Sequence, residues 1–176
     1  DSVKAADSPE VQQAFADVQA DINELEALLY ADDPDWAAIS EIIEVDSFVK
    51  RYFIDEFAKN IEIGMSSIYF YKDGASDKLH AGPVWDYDLS LGNIARGTAT
   101  EDYAKNFALQ VENGIVRNDW YAQLCRNEEF VARANELYSA EIKTALDNTD
   151  DNLKSVANLI AVSADNNFSK WPVLGV

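Results

Sequence analysis

The chain has 176 residues and a formal net charge of -18, with 14 Lys and Arg against 32 Asp and Glu. That imbalance excludes a phosphate-tracking basic surface, so nucleic-acid binding is not expected, and attraction to an anionic membrane is disfavoured. Hydrophobic residues at 48% and aromatics at 11% allow a real core and exclude a disordered polypeptide.

The first predicted element is a helix. Asp7, Pro9 and Glu10 supply an N-cap, an N1 proline and a capping-box acid. Val11, Phe15, Val18, Ile22, Leu25, Leu28 and Leu29 follow at three- and four-residue steps as one apolar stripe. Asp33-Pro34 opens a second helix through Trp36, Ile39, Ile42 and Ile43. Asp46 starts a third, whose buried side is Phe48, Val49, Tyr52, Phe53, Phe57 and Ile61.

The period then shortens. Residues 66–72 are rich in β-branched and aromatic side chains, Asp73-Gly74 begins a turn, and residues 78–85 form the return strand of a hairpin. Pro83 cannot donate to a ladder and marks an edge or the strand's end. From Asn93 to about Asn113 the pattern weakens into a loop. Helix returns at Asp119-Trp120-Tyr121 toward Leu124, and Asn127 opens another through Phe130, Ala134, Leu137, Tyr138 and Ile142. Asp150 or Asp151 caps a last helix through Leu153, Val156, Leu159, Ile160 and Phe168, ending before Pro172. The expectation is one α+β domain over 1–176, mostly helical: a helical lead-in at 7–44, a core at 46–93, and a helical part at 119–171.

The hairpin's end carries the chemistry. Alternation on a strand puts Asp86 and Asp88 on one face and Tyr87 on the other. Two hard oxygen ligands suit Mg²⁺ or Mn²⁺, with water and phosphate completing the shell. Gly92 allows close backbone approach, and Asn93 adds an oxygen. By spacing alone Asp-x-Asp is also what a solvated turn looks like. Cys125, the sole cysteine, forms no disulfide and reads as a buried structural thiol; His80, the sole histidine, packs or faces solvent. Residues 147–151 lack the glycine and final glutamate of an EF-hand loop and read as a turn. No apolar run reaches the ~20 residues of a membrane span.

Several blocks occur in a telling order: Asp46-Ser47-Phe48-Val49, Glu56-Phe57-Ala58-Lys59-Asn60, Ser67 to Asp73, Lys78 to Leu89, then Gly92-Asn93. Asn118 to Tyr121, Phe130 and Asn167 to Pro172 extend the series. From about residue 33 onward the chain resembles the CotH kinase family of spore-coat proteins and their secreted relatives, most specifically at Gly82-Pro83-Val84-Trp85-Asp86.

The resemblance implies the carboxyl-terminal lobe of an atypical protein-kinase-like fold, passing a phosphoryl group from ATP to protein Ser or Thr. Matched by order, Asp86 falls on the metal-binding aspartate, with Asp88 a further metal ligand and Asn60 and Asn93 cofactor-binding. The place of the catalytic aspartate, two residues after Asn60, is held by Glu62. Glutamate is one methylene longer, and a misplacement of ~1 Å costs on the order of 10²-fold in rate, so weak or absent activity is one expectation. The residues ahead of Asp46 contain no glycine, and Lys4 is their only lysine, so they supply no phosphate-gripping loop. ATP would then be held only with an amino-terminal lobe not found in them. The implied partner is a protein acceptor or a coat or surface protein, and the implied setting is secreted, cell-surface or spore-coat. Two alternatives stand beside the kinase: a non-catalytic assembly module, and a metal-dependent glycosyltransferase, which would need strands alternating with helices ahead of the motif.

Overall fold

The computed structural model describes residues 8–60, 62–91, 93 and 119–173. The chain divides into two compact units between Leu137 and Tyr138.

In the first unit, α1 spans Pro9–Leu29. Ser8 is its N-cap, accepting the Val11 amide at 3.3 Å, and Pro9 stands at the first turn as expected; Asp7 lies outside the described residues. Only the end of the apolar stripe is buried: Leu25 and Leu29 are in the core, whereas Phe15 is 68% exposed. Helix α2 spans Trp36–Ile42, and its cap is Asp35, whose carboxylate accepts the Ala38 amide at 3.1 Å, rather than Asp33. Helix α3 spans Val45–Ala58 and is capped by Glu44, which accepts the Ser47 amide. Asp46 lies in its first turn instead, held by both Nε and Nη2 of Arg133 at 2.8 and 2.7 Å.

The hairpin forms, but it is short. Strand β1 is Phe70–Tyr71 and β2 is His80–Ala81, paired antiparallel with Phe70 opposite Ala81 and Tyr71 opposite His80. A parallel bridge from Ile43 to Leu79 ties β2's approach to the α2–α3 junction, through Leu79 N to Ile42 O at 2.8 Å and Glu44 N to Leu79 O at 2.9 Å. Residues 82–88 are not a strand. Helices α4 (Trp120–Leu124) and α5 (Glu128–Leu137) complete this unit, α5 being capped by Asn127 Oδ1, which accepts the Glu129 and Phe130 amides. The loop expected over 93–113 lies, apart from Asn93, outside the described residues.

The core sits where α1, α3 and α4 meet the hairpin. Phe48 stacks on Phe70 at 5.5 Å, and Phe70 meets Trp120 at 5.3 Å. Trp120 Nε1 donates to Glu26 at 2.9 Å, so its polar edge is satisfied as the ring is buried. Cys125 is half-buried rather than fully so, and burial pushes its thiol up to about 11, which keeps it protonated and unreactive. His80 stacks on Tyr71 at 4.9 Å.

The second unit contains a π-helical turn at Tyr138–Ile142, α6 at Lys143–Asp147 and α7 at Thr149–Lys170. Asp150 and Asp151 occupy the first turn of α7 without capping it, and the helix stops at Trp171 before Pro172. Among the described residues α7 buries none of its side chains, and Leu159 is 84% exposed. No described helix is long and apolar enough to cross a membrane.

Candidate active site

The site begins at the end of α3. Lys59 adopts a left-handed conformation (φ 53°) and returns its N–H to the carbonyls of Asp55 and Glu56, which stops the helix. Asn60 follows with its N–H on Asp55 O at 2.9 Å, and the chain enters the turn bearing Glu62. Asn60 is buried. Its Nδ2 donates to Asp55 at 2.9 Å, and its Oδ1 accepts the Glu62 amide at 3.0 Å. Asn60 therefore fixes where Glu62 leaves the helix. The Glu62 carboxylate accepts the Ser66 hydroxyl at 2.6 Å and remains half-exposed.

Asp86 and Asp88 come together, though not by strand alternation. Asp86 has φ 63°, a left-handed conformation that a short polar side chain tolerates better than most. Ser67, with φ 54°, faces it and donates its hydroxyl to Asp86 Oδ2 at 3.4 Å. The neighbouring Asp88 carboxyl, with some desolvation and the charge of Glu62, raises the Asp86 pKa above the ordinary carboxylate value. Asp86, itself exposed, thus lies within electrostatic reach of both Asp88 and Glu62. Tyr87 does turn the other way, as expected, and donates its hydroxyl to the buried Asp55 carboxylate.

Downstream, the backbone is closed by a turn. Ser90 donates its hydroxyl to Tyr87 O at 2.5 Å, Leu91 N reaches back to Ala58 O at 2.6 Å, and Asn93 Nδ2 donates to Asp88 O at 2.6 Å. Asn93 thereby holds the main chain of Asp88; Gly92 lies outside the described residues. Among the described residues no group of three or more His, Cys, Asp or Glu is disposed to hold a metal. The donor set is two adjacent carboxylates with a third acid nearby. That suits Mg²⁺ or Mn²⁺, which bind through one or two carboxylates and keep their waters, and does not suit a closed all-protein cage.

Arg51, Asp55 and Tyr87 were not legible as site residues. Arg51 and Asp55 are fully buried, 2% and 0% exposed, and joined through Nε and Oδ2 at 2.9 Å. Arg51 Nη1 donates to Pro83 O at 3.0 Å, and its guanidinium lies 5.9 Å from the Tyr87 ring centroid. Arg51 Nη2 and the Tyr121 hydroxyl have no partner among the described residues. The sequence signal was present: Arg51 and Asp55 are four residues apart, on the same helix face as Phe48.

With this geometry in place, comparison with known proteins decides the family. The family model described as CotH kinase protein matches residues 3–175. The chain belongs to the CotH kinase family. The match covers essentially the whole chain, so the residues ahead of about position 33, where the residue-level resemblance did not reach, fall within the family as well. No curated protein and no solved structure matches the CotH-family chain.

Proposed function

We propose that this CotH-family chain carries the metal-holding and acceptor-facing part of an ATP-dependent protein phosphotransferase site. The observation that carries the reading is the exposed Asp86, held by the Ser67 hydroxyl and under the influence of the Asp88 and Glu62 carboxylates, in a chain belonging to a kinase family. Asp86 and Asp88 would hold Mg²⁺ or Mn²⁺, which would offset the negative charge of the β- and γ-phosphates. Glu62 faces the acceptor. A Ser or Thr oxygen of the acceptor protein forms a bond to the γ-phosphorus, the bond to the β,γ-bridging oxygen breaks, and ADP leaves. Glu62 accepts the hydroxyl proton. Asn93 contributes by fixing the Asp88 main chain, and Asn60 by fixing Glu62. The family relation also supports a spore-coat or other surface setting and a coat or surface protein as acceptor.

The test is phosphate incorporation from labelled ATP into a serine-rich acceptor, comparing the protein with its Asp86→Ala variant. Incorporation that Asp86→Ala removes supports the reading; equal incorporation in both would refute it.

One observation favours a second reading, a non-catalytic coat or surface assembly module. Glu62 stands where the family resemblance places an aspartate, and its carboxylate is already engaged by Ser66. In that case the metal pair would persist without transfer. The glycosyltransferase alternative has no comparable support, because the described sheet has two antiparallel strands rather than alternating β and α units.

A further inference from the structure

We infer that Asp55 is a positioning residue that sets the metal pair and Glu62 relative to each other, acting on the pair through the Tyr87 hydroxyl. This rests on the metal-site reading of Asp86 and Asp88.

Asp55 is completely buried, and among the described residues its carboxylate is hydrogen-bonded to neither candidate ligand. One oxygen accepts Arg51 Nε; the other accepts both Asn60 Nδ2 and the Tyr87 hydroxyl. The two branches lead to different parts of the site. Through Asn60 the carboxylate holds the Glu62 amide. Through Tyr87 it holds the one residue lying between Asp86 and Asp88. Arg51 adds a clamp on Pro83 O, upstream of the pair. Among the described residues, the hydrogen bonds that the Arg51 and Asp55 side chains make beyond each other thus end on the segments flanking the site.

A purely structural role explains this less well. A buried ion pair is often no more stabilising than apolar side chains of the same volume, and here the pair occupies the helix face that Phe48 and Val49 begin. Charged hydrogen bonds, unlike apolar contacts, fix direction. Direction is what two carboxylates on a segment without strand pairing otherwise lack, with Asp86 itself in a left-handed conformation. Groups that orient metal-binding carboxylates commonly change affinity by about 10- to 100-fold when removed.

The experiment is Mn²⁺ titration by calorimetry of the wild-type chain, Tyr87→Phe and Tyr30→Phe, with thermal midpoints measured without metal. Tyr30→Phe is the matched control, since it removes another tyrosine–aspartate hydrogen bond, to Asp119, far from the pair in sequence. Tyr87→Phe should weaken Mn²⁺ binding about tenfold, while Tyr30→Phe lowers the midpoint and leaves Mn²⁺ affinity unchanged. Asp55→Asn should weaken binding at least as much as Tyr87→Phe; should Asp55→Asn not fold, Tyr87→Phe still decides. Unchanged affinity in folded Tyr87→Phe, with wild type binding, overturns the positioning role and leaves the metal site standing. No binding by wild type overturns both.

Discussion

The Asp88 carboxyl lies close enough to Asp86 to disfavour ionisation of the Asp86 side chain. The raised pKa of Asp86 follows from that contact and from the nearby charge of Glu62.

Metal binding should therefore release a proton over a higher pH range than isolated carboxylates would show. For an acid with a raised folded pKa, the proton is held up to a higher pH, so Mn²⁺ competes with it as pH falls through that value. Apparent affinity should decline toward acid pH in wild type, with the decline shifted to lower pH in Asp88→Asn, where the like charge is gone. Calorimetry at a series of pH values checks this. Coincident profiles would show that the two acids do not interact.

Arg51→Leu should be severely destabilising, by about 3–5 kcal/mol, because it leaves the Asp55 carboxylate buried without its cation. Urea unfolding followed by circular dichroism measures it. Replacing both, as Arg51→Leu with Asp55→Leu, should recover much of the loss in stability while still weakening Mn²⁺ binding.

The Asp46–Arg133 pair joins α3 to α5, but both side chains are partly exposed, at 35% and 41%. Solvent screening keeps its contribution small, and that contribution is lost in Arg133→Ala. The Arg133 hydrogen bonds lower the Asp46 pKa. Its stabilisation is thus present above the unfolded carboxylate value and disappears as pH falls through the lowered folded one. The difference between wild type and Arg133→Ala in urea should shrink in acid and in high salt.

Glu62→Gln should lower phosphate transfer by about 10²-fold or more if Glu62 takes the acceptor proton. Glu62→Asp restores the side-chain length that the family resemblance implies and should retain or raise transfer. Equal rates in wild type and Glu62→Gln would remove Glu62 from the chemistry and favour the assembly-module reading.

The hairpin was legible because aromatic and β-branched residues flank a turn at Asp73-Gly74, and Asp77 N does bond Gly74 O at 3.0 Å. The pairing of Asp86 with Asp88 was anticipated for a different reason. Strand alternation suggested it, whereas residues 82–88 form no strand and Asp86 is left-handed, and no apolar pattern encodes the sign of φ at a non-glycine residue. Helix α3 shows the opposite failure. Its apolar stripe pointed to Phe53 and Phe57 as buried, yet Phe57 is 48% exposed while Arg51, Asp55 and Glu56 are inside. Periodicity assigns charged residues to water, and their burial depends on partners, Pro83 and Tyr87, more than 30 residues away. Likewise α7 has the repeat of an amphipathic helix, but a repeat does not say what covers it. The family resemblance was carried by ordered blocks rather than by any single motif, which is why it stood on the sequence alone.

The central claim is that Asp86 holds a divalent cation. Its most direct measurement is calorimetric titration of Mn²⁺ into the wild-type chain and into Asp86→Ala, both checked for folding by circular dichroism. The account predicts saturable binding in wild type that is lost in Asp86→Ala; equal affinity in the two would contradict it.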